Sequence, residues 1–210
     1  DHLLDYDFRI IGETSIRIEH HLIGMPGTTM RTVRHVFSHP VALNQCRIFF
    51  AKHPEITPES FYDTAGSVKM LQEKRPEHAA ALASEGAAEI YGGIILRRNL
   101  EDDRKNFTRF FLLSKQDTPA PPADRDWKTS LVFSTSNTPG ALFRAMACFA
   151  LRDLNLTKIE SRPLRGKPWE YLFYVDLNGH HQEKAVNNAL ANLTEITLFI
   201  KVLGSYQPAP

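Results

Sequence analysis

A cluster of prolines near the middle of the chain is the feature that most constrains the fold. Three of the four residues from Pro119 to Pro122 are prolines. Proline lacks the backbone N–H and fixes φ, so this stretch can continue neither an α-helix nor a central β-strand. We therefore predict a semi-rigid linker at residues 114–126, between one domain at 1–113 and another at 127–205.

The part before the linker alternates strand-like and helix-like segments. Short apolar runs are each followed by a segment with helical spacing. The predicted order is strand 32–37, helix 41–52, a strand ending at Tyr62, helix 68–74, helix 76–91 with a possible break at residues 84–86, and strand 94–97. This alternation is typical of an α/β domain with a mostly parallel or mixed sheet, in which ligands bind beyond the carboxyl ends of the strands.

The part after the linker has a different order of segments. We predict strand 129–135, helix 139–153, strand 156–163, strand 169–177, helix 181–193 and strand 195–203. This βαββαβ order is the ferredoxin-like arrangement, in which two helices cover one four-stranded sheet. In the first helix Leu142, Met146 and Phe149 recur at helical spacing, so this face is expected to pack on the sheet.

The overall charge argues against a nucleic-acid or membrane-surface partner. The chain has 25 basic and 24 acidic residues, a net charge of +1 and no basic block. No apolar run reaches the roughly 18–20 residues of a membrane span, and the N-terminus lacks the pattern of a signal peptide. Cys46 and Cys148 lie in helical patterns in different halves, so we expect free thiols and a cytoplasmic protein.

The residues do not predict a metal site. The sequence Glu19-His20-His21 offers three metal-ligand side chains in a row. Neighbours along a strand point to opposite faces, however, so at most two of them can share one site. We find no third ligand at a plausible spacing.

The segment from Asn106 to Phe110 is the first candidate for chemistry. It places a hydroxyl, on Thr108, beside a guanidinium, on Arg109, in an otherwise apolar run. A hydroxyl can share a proton and a guanidinium can bind a carboxylate, as a site for an anionic substrate requires. The alternative is a core strand whose arginine meets a structural carboxylate. Both residues can reach one ligand only at a strand end or an irregularity, and we predict that the strand begins at or just after them.

Two strand-to-helix turns are further candidates for anion binding. His39 precedes Pro40, which suits the first turn of a helix, and Thr64-Ala65 begin another helix after Asp63. The N-terminus of a helix presents unpaired N–H groups and the positive end of the macrodipole, and both favour an anion. The alternative for Thr64 is an ordinary helix N-cap.

Several of these motifs together resemble the prephenate dehydratase family. Residues 156–163, LTKIESRP, and residues 137–142, NTPGAL, are similar to its regulatory ACT domain. Three motifs are similar to its catalytic domain and occur in the same order: Ser38 to Cys46, Asp63 to Gly66, and Asp102 to Phe110. The family's N-terminal Gly-rich and ENS-containing segments are not present, and Gly93 replaces an aliphatic residue.

The resemblance implies a fold and a reaction. The expected fold class is α/β: an incomplete two-lobed domain like a type II periplasmic binding protein, followed by a ferredoxin-like βαββαβ ACT domain. The implied reaction is the decarboxylating dehydration of prephenate to phenylpyruvate, without a metal or cofactor. Thr108, Arg109 and Thr64 are the implied catalytic residues, and the substrate-binding candidates are Ala65, Phe110, Asn106 and His39.

The resemblance also implies regulation and an oligomer. L-Phenylalanine is expected to bind between two ACT domains of a homodimer or homotetramer. The implied effector-binding residues are Asn137, Gly140, Ala141, Leu142, Glu160 and Ser161, the last two lining one pocket. Two alternatives stay open: an arogenate dehydratase, and a non-catalytic module that binds an amino acid.

Overall fold

The computed structural model describes residues 2–116, 126–164 and 170–209. Most of the predicted linker at 114–126 therefore lies outside the described residues. By its contacts the described chain divides into two compact units, one of residues 2–15 with 109–209 and the other of residues 16–108. The domain bounds 1–113 and 127–205 stay a prediction, because the N-terminal segment groups with the C-terminal part.

The helices and strands alternate through most of the chain. In order they are α1 (His2–Asp5), β1 (Arg9–Arg17), β2 (His21–Gly24), β3 (His35–Ser38), α2 (Pro40–Asn44), α3 (Arg47–Lys52), β4 (Thr57–Ser60), α4 (Thr64–Lys74), β5 (Ala79–Ala83), α5 (Glu85–Tyr91), β6 (Ile94–Arg97), β7 (Phe107–Ser114), β8 (Lys128–Ser134), α6 (Ala141–Ala150), β9 (Leu156–Pro163), β10 (Tyr171–Asn178), α7 (Lys184–Ile196) and β11 (Phe199–Tyr206).

The unit of residues 16–108 is built on a mixed five-stranded sheet in the order β4-β3-β5-β2-β6. β3 runs parallel to β4 and β5, whereas β2 runs antiparallel to β5 and β6. Phe49 of α3 belongs to the core cluster that contains Val36 and Leu82, and Leu71 of α4 to the cluster that contains Ala81. Helices therefore cover both faces of the sheet.

The predicted helix 76–91 is wrong in its first half. Residues 79–83 form β5, the central strand, and all five are buried. Alanine favours helices, but tertiary packing overrides this preference, and a strand covered on both faces reads as a continuous apolar run. Ser84 then caps α5, its hydroxyl accepting the N–H of Ala87 at 3.3 Å.

The other unit contains the predicted βαββαβ sheet. Its four strands are antiparallel, in the order β11-β8-β10-β9. On one face Phe133 packs in a core cluster with Phe149 of α6 and Leu193 of α7. On the other face Val132 and Tyr206 pack with Ile10 of β1. β1 pairs with β7 in a separate two-stranded sheet.

Candidate functional site

The five-stranded sheet brings two predicted anion-binding turns to one edge. Because β3, β4 and β5 are parallel, their carboxyl ends lie at the same edge, and each is followed by a helix start. His39 follows β3, and Thr64 and Ala65 follow β4. The structure therefore places these three predicted residues where ligands bind in open α/β sheets.

The start of α4 combines an N-cap with unpaired donors. Asp63 caps the helix, and its Oδ2 accepts the N–H of Gly66 at 2.8 Å. The N–H groups of Thr64 and Ala65 have no hydrogen-bond partner within the described part of the chain. A helix leaves its first N–H groups unpaired unless a cap or ligand meets them. The N-cap is therefore Asp63 rather than Thr64, and this cap leaves the first two N–H groups of the helix available for an anion.

His39 caps the neighbouring helix α2. Its Nδ1 accepts the N–H of Val41 at 3.2 Å, and Pro40 is the first helical residue, as predicted from the sequence. An Nδ1 that accepts a hydrogen bond carries no proton, so in the neutral ring the proton is on Nε2. His39 therefore presents a hydrogen-bond donor rather than an acceptor.

Asn106 and Thr108 flank the beginning of β7. The carbonyl of Asn106 accepts the N–H of Ile18 at 2.8 Å, but its Nδ2 is buried without a hydrogen-bond partner among the described residues. A buried unpaired donor is costly, so this amide is a candidate for binding a ligand. Thr108 is exposed, as is Phe110. β7 begins at Phe107, one residue earlier than predicted.

Arg109 meets structural carboxylates, which is the alternative left open by the sequence. Its Nη1 donates to Oδ2 of Asp176 at 2.7 Å and lies 3.4 Å from Oε2 of Glu13. Its guanidinium carbon is 4.6 Å from the centre of the Phe111 ring. Burial opposes the charged form of Arg109, but the hydrogen bond and charge of Asp176 outweigh burial and raise the pKa of the guanidinium.

The carboxylates around Arg109 are held by other strands. Ser130 of β8 donates to Oδ1 of Asp176 at 2.5 Å and lies 2.7 Å from the Tyr206 hydroxyl. Lys128 donates to Oε1 of Glu13 at 2.5 Å. Sequence reasoning missed Asp176 and Glu13. A signal for Asp176 existed, because a lone carboxylate in the apolar run from Tyr171 to Leu177 requires a buried partner.

Four of the predicted effector-binding residues lie at the start of α6. Gly140 is the N-cap of α6 with a φ of 75°, and Asn137 and Leu142 are exposed beside it, with Ala141 as the first helical residue. Any side chain at Gly140 would be strained in this left-handed conformation. The backbone conformation of this loop is therefore sufficient reason for a glycine at position 140.

Glu160 and Ser161 lie on opposite faces of the C-terminal sheet. Ser161 is opposite Phe173 in the β9–β10 register, on the face covered by α6 and α7. Glu160 is opposite Tyr174, on the face that packs against β1, and accepts hydrogen bonds from Lys158 and Arg162 at 2.9 Å each. These two ion pairs lower the pKa of Glu160. Within one chain, Glu160 and Ser161 therefore cannot line the same pocket.

Comparison with known proteins identifies the family. The family model described as "Prephenate dehydratase" matches residues 1–118, more than half of the chain. The chain belongs to the prephenate dehydratase family. The model described as "ACT domain" matches residues 129–195, which include α6 and the strands β9 and β10.

Similar proteins of this family are named after two substrates, arogenate and prephenate. "Arogenate dehydratase/prephenate dehydratase 2, chloroplastic" of Arabidopsis thaliana is 42% identical over 215 residues, covering 98% of this chain and 56% of its own length. The chain spans about half the length of the curated relatives it matches.

Two solved structures share the fold over nearly the whole chain. One is a prephenate dehydratase from Arthrobacter aurescens in complex with L-Phe, with a TM-score of 0.85 and 33% identity, covering 95% of this chain and 66% of that one. The other is GqqA, described as a novel type of quorum quenching acylase, with a TM-score of 0.87 and 36% identity, covering 99% and 75%. The expected α/β class, with a prephenate-dehydratase-like part followed by an ACT domain, is thereby confirmed.

The described residues contain neither a metal-binding cluster nor a membrane-spanning helix. Between residues 2 and 209, apart from the two undescribed gaps, no group of three or more metal-ligand side chains could hold a metal ion. In the same residues no helix is long and apolar enough to cross a membrane.

Proposed function

We propose that this chain is part of a prephenate dehydratase that is controlled by phenylalanine. Prephenate carries two carboxylates and a ring hydroxyl that leaves, with a proton, as water while carbon dioxide departs. Aromatisation of the ring drives the reaction, so the enzyme has to orient the dianion and assist the departure of the hydroxyl. The observation that carries the proposal is that the family match over residues 1–118 includes Thr64, Thr108 and Arg109.

We assign Thr108 to the departing hydroxyl. It is exposed at the start of β7 and has no hydrogen-bond partner among the residues described, so its hydroxyl is available to donate. The buried amide of Asn106, two residues earlier, supplies a further unpaired donor. A positioned proton donor typically contributes about 10²- to 10⁴-fold in rate.

The remaining groups are proposed to hold the carboxylates. Thr64 and Ala65 offer two unpaired N–H groups at the N-terminus of α4, where the macrodipole favours an anion. Arg109 has five N–H donors, and both of its contacts with carboxylates use Nη1. Its Nε and Nη2 edge is therefore proposed to bind one carboxylate of the substrate.

A kinetic experiment tests these roles. In the longest protein that the gene encodes, phenylpyruvate formation is followed by ultraviolet absorbance. Thr108→Val removes the hydroxyl at similar volume and should lower kcat by about 10²-fold or more with little change in KM. Thr108→Ser keeps the hydroxyl and serves as the matched control. A Thr108→Val enzyme with the parental kcat would contradict the assignment.

Regulation is proposed to act through the ACT domain. A relative of known structure is described in complex with L-Phe, and the same fold is present here. We propose that Asn137, Gly140 to Leu142 and Ser161 bind the amino acid, in a homodimer or homotetramer, whereas Glu160 lies on the opposite face and does not. Calorimetry with L-phenylalanine, with the D-isomer as control, should detect heat only for the L-isomer.

Two other activities have specific support. Arogenate dehydratase is supported by the name of the Arabidopsis relative, and parallel assays with prephenate and arogenate decide between the substrates. An acylase is supported by the likeness to GqqA. An acylase of the serine type requires an accessible nucleophile beside a base. The Ser205 hydroxyl lies 2.7 Å from Nδ1 of His181, but Ser205 is fully buried, so we rank an acylase below a dehydratase.

The location in the cell is a separate proposal. The Arabidopsis relative is described as chloroplastic. The cytoplasmic location expected from the sequence stays a prediction, which imaging of the tagged protein in its own cells would test.

A further inference from the structure

We propose that Asp176 is a positioning residue for Arg109: a carboxylate of the ACT sheet that fixes the orientation in which this arginine binds the substrate. The proposal rests on the proposed function, in which Arg109 binds a substrate carboxylate. Asp176 lies on β10 and Arg109 on β7, 67 residues apart in the sequence.

The contacts of Arg109 are confined to one nitrogen. Nη1 is 2.7 Å from Asp176 and 3.4 Å from Glu13, which reach it from two different strands. Nε and Nη2 have no hydrogen-bond partner in the described residues. A guanidinium binds a carboxylate best through two parallel N–H groups in its plane. Holding Nη1 fixes this plane and leaves the opposite edge for a second carboxylate.

Asp176 is itself held rigidly. Its side chain is 6% exposed, and its second oxygen accepts the Ser130 hydroxyl at 2.5 Å. Ser130 is in turn 2.7 Å from the hydroxyl of Tyr206, on the edge strand β11. Three strands of the ACT sheet thus set the position of one carboxylate, and a rigid second layer is what a precise binding group requires.

Packing alone does not fix the guanidinium. Arg109 and Asp176 line a cavity of about 150 Å³ together with Lys158, Arg162 and Tyr174. The stacked Phe111 ring restrains the guanidinium plane from one side, at 4.6 Å from its carbon. Because the cavity leaves room for the side chain to swing, the short ion pair with Asp176 is the contact that selects one orientation.

The charges of the cluster decide what removal of Asp176 does. Glu13 and Asp176 balance Arg109 and Lys128, so the four groups are neutral together. Asp176→Asn removes one negative charge, which by charge alone would strengthen the attraction of Arg109 for an anion. It also removes the short anchor, leaving only Glu13 at 3.4 Å. The charge effect would lower KM and the loss of the ion pair would raise it, so the direction of the measured change in KM tests the proposal.

The test is a double-mutant cycle in the longest encoded protein, with phenylpyruvate formation as the readout. Asp176→Asn should raise KM by about 10- to 100-fold with little change in kcat, the size expected when a binding group is misplaced. In an Arg109→Ala background the same substitution should leave KM unchanged, because the group it positions is gone. Ser130→Ala should raise KM in the same direction by a smaller factor. The exposed Asp153→Asn is the matched control.

The outcomes separate the two proposals. Absence of phenylpyruvate from the parent protein, or an unchanged KM in Arg109→Ala, would overturn the proposed function and with it this inference. If Arg109→Ala raises KM but Asp176→Asn leaves it unchanged or lowers it, only the inference fails. An equal increase in both backgrounds would indicate general damage and would also overturn it. If the Asp176→Asn protein does not fold, the KM of Ser130→Ala is compared between the parental and the Arg109→Ala backgrounds instead.

Discussion

The close approach of Gly204 to the first strand gives a prediction whose size can be worked out. A Cβ at Gly204 would lie 2.1 Å from the carbonyl oxygen of Ile10 and 2.7 Å from its nitrogen. Ordinary carbon–oxygen contacts are about 3.3 Å or longer. Both obstacles are backbone atoms, so Gly204→Ala has to move β1 by about 1 Å or more.

The free energy follows from what β1 would lose. Ile10 is 1% exposed, and full burial of such a side chain contributes roughly 1.5–3 kcal/mol. Arg9 donates to the carbonyl of Val202 at 2.8 Å, and a hydrogen bond with a charged group contributes roughly 1.5–3 kcal/mol. Arg9 is partly exposed, so the lower value applies, and we expect a total loss of about 3 kcal/mol.

Urea denaturation measures this loss. With an m value of roughly 2 kcal/mol/M, the midpoint of Gly204→Ala should fall by about 1.5 M. Gly12→Ala is the matched control on β1, since its Cβ would meet only Leu112 atoms at 3.7 and 3.9 Å, which is ordinary contact. We expect it within about 0.5 kcal/mol of the parent. Equal midpoints for Gly204→Ala and the parent would refute the steric argument.

Two further predictions concern the unit of residues 16–108. Burial, with the charge of Arg98, lowers the pKa of His21, and its Nδ1 accepts the N–H of Asn99 at 3.1 Å. Below a pH of about 6.5 the unfolded chain therefore binds a proton at His21 that the folded chain does not bind. The melting temperature of the parent protein should fall as the pH drops through this range, and that of His21→Gln should fall less steeply. Asp63→Ala removes the cap of α4 and should lower the free energy of unfolding by about 1 kcal/mol. Asp63→Asn keeps an acceptor for the N–H of Gly66, so its free energy of unfolding should fall by less. Equal urea midpoints for the two variants would contradict this prediction.

Local patterns were sufficient for most elements of the fold. The βαββαβ order and the strand-to-helix turns at His39 and Thr64 can be predicted from short stretches of sequence, because periodicity and capping act over a few residues. One exception is β5. Its run of alanines is compatible with either helix or strand, and only its place between β3 and β2 decides.

The candidate site was less predictable because its contacts are distant in the sequence. No local pattern pairs Arg109 with Asp176, or places Ile10 against Gly204. The opposite facing of Glu160 and Ser161 was predictable, by contrast, since side chains alternate along any strand. The family resemblance grouped these two residues, and alternation alone separates them.

The packing of β1 on the sheet β11-β8-β10-β9 affects how the ACT domain could be engineered. Val132 and Tyr206 are fully buried in a cluster with Ile10. An excised cassette starting near residue 127 would expose that apolar surface to water and would tend to self-associate. An ACT domain transferred to another enzyme would have to include β1, or would need polar residues in place of the apolar residues that β1 covers.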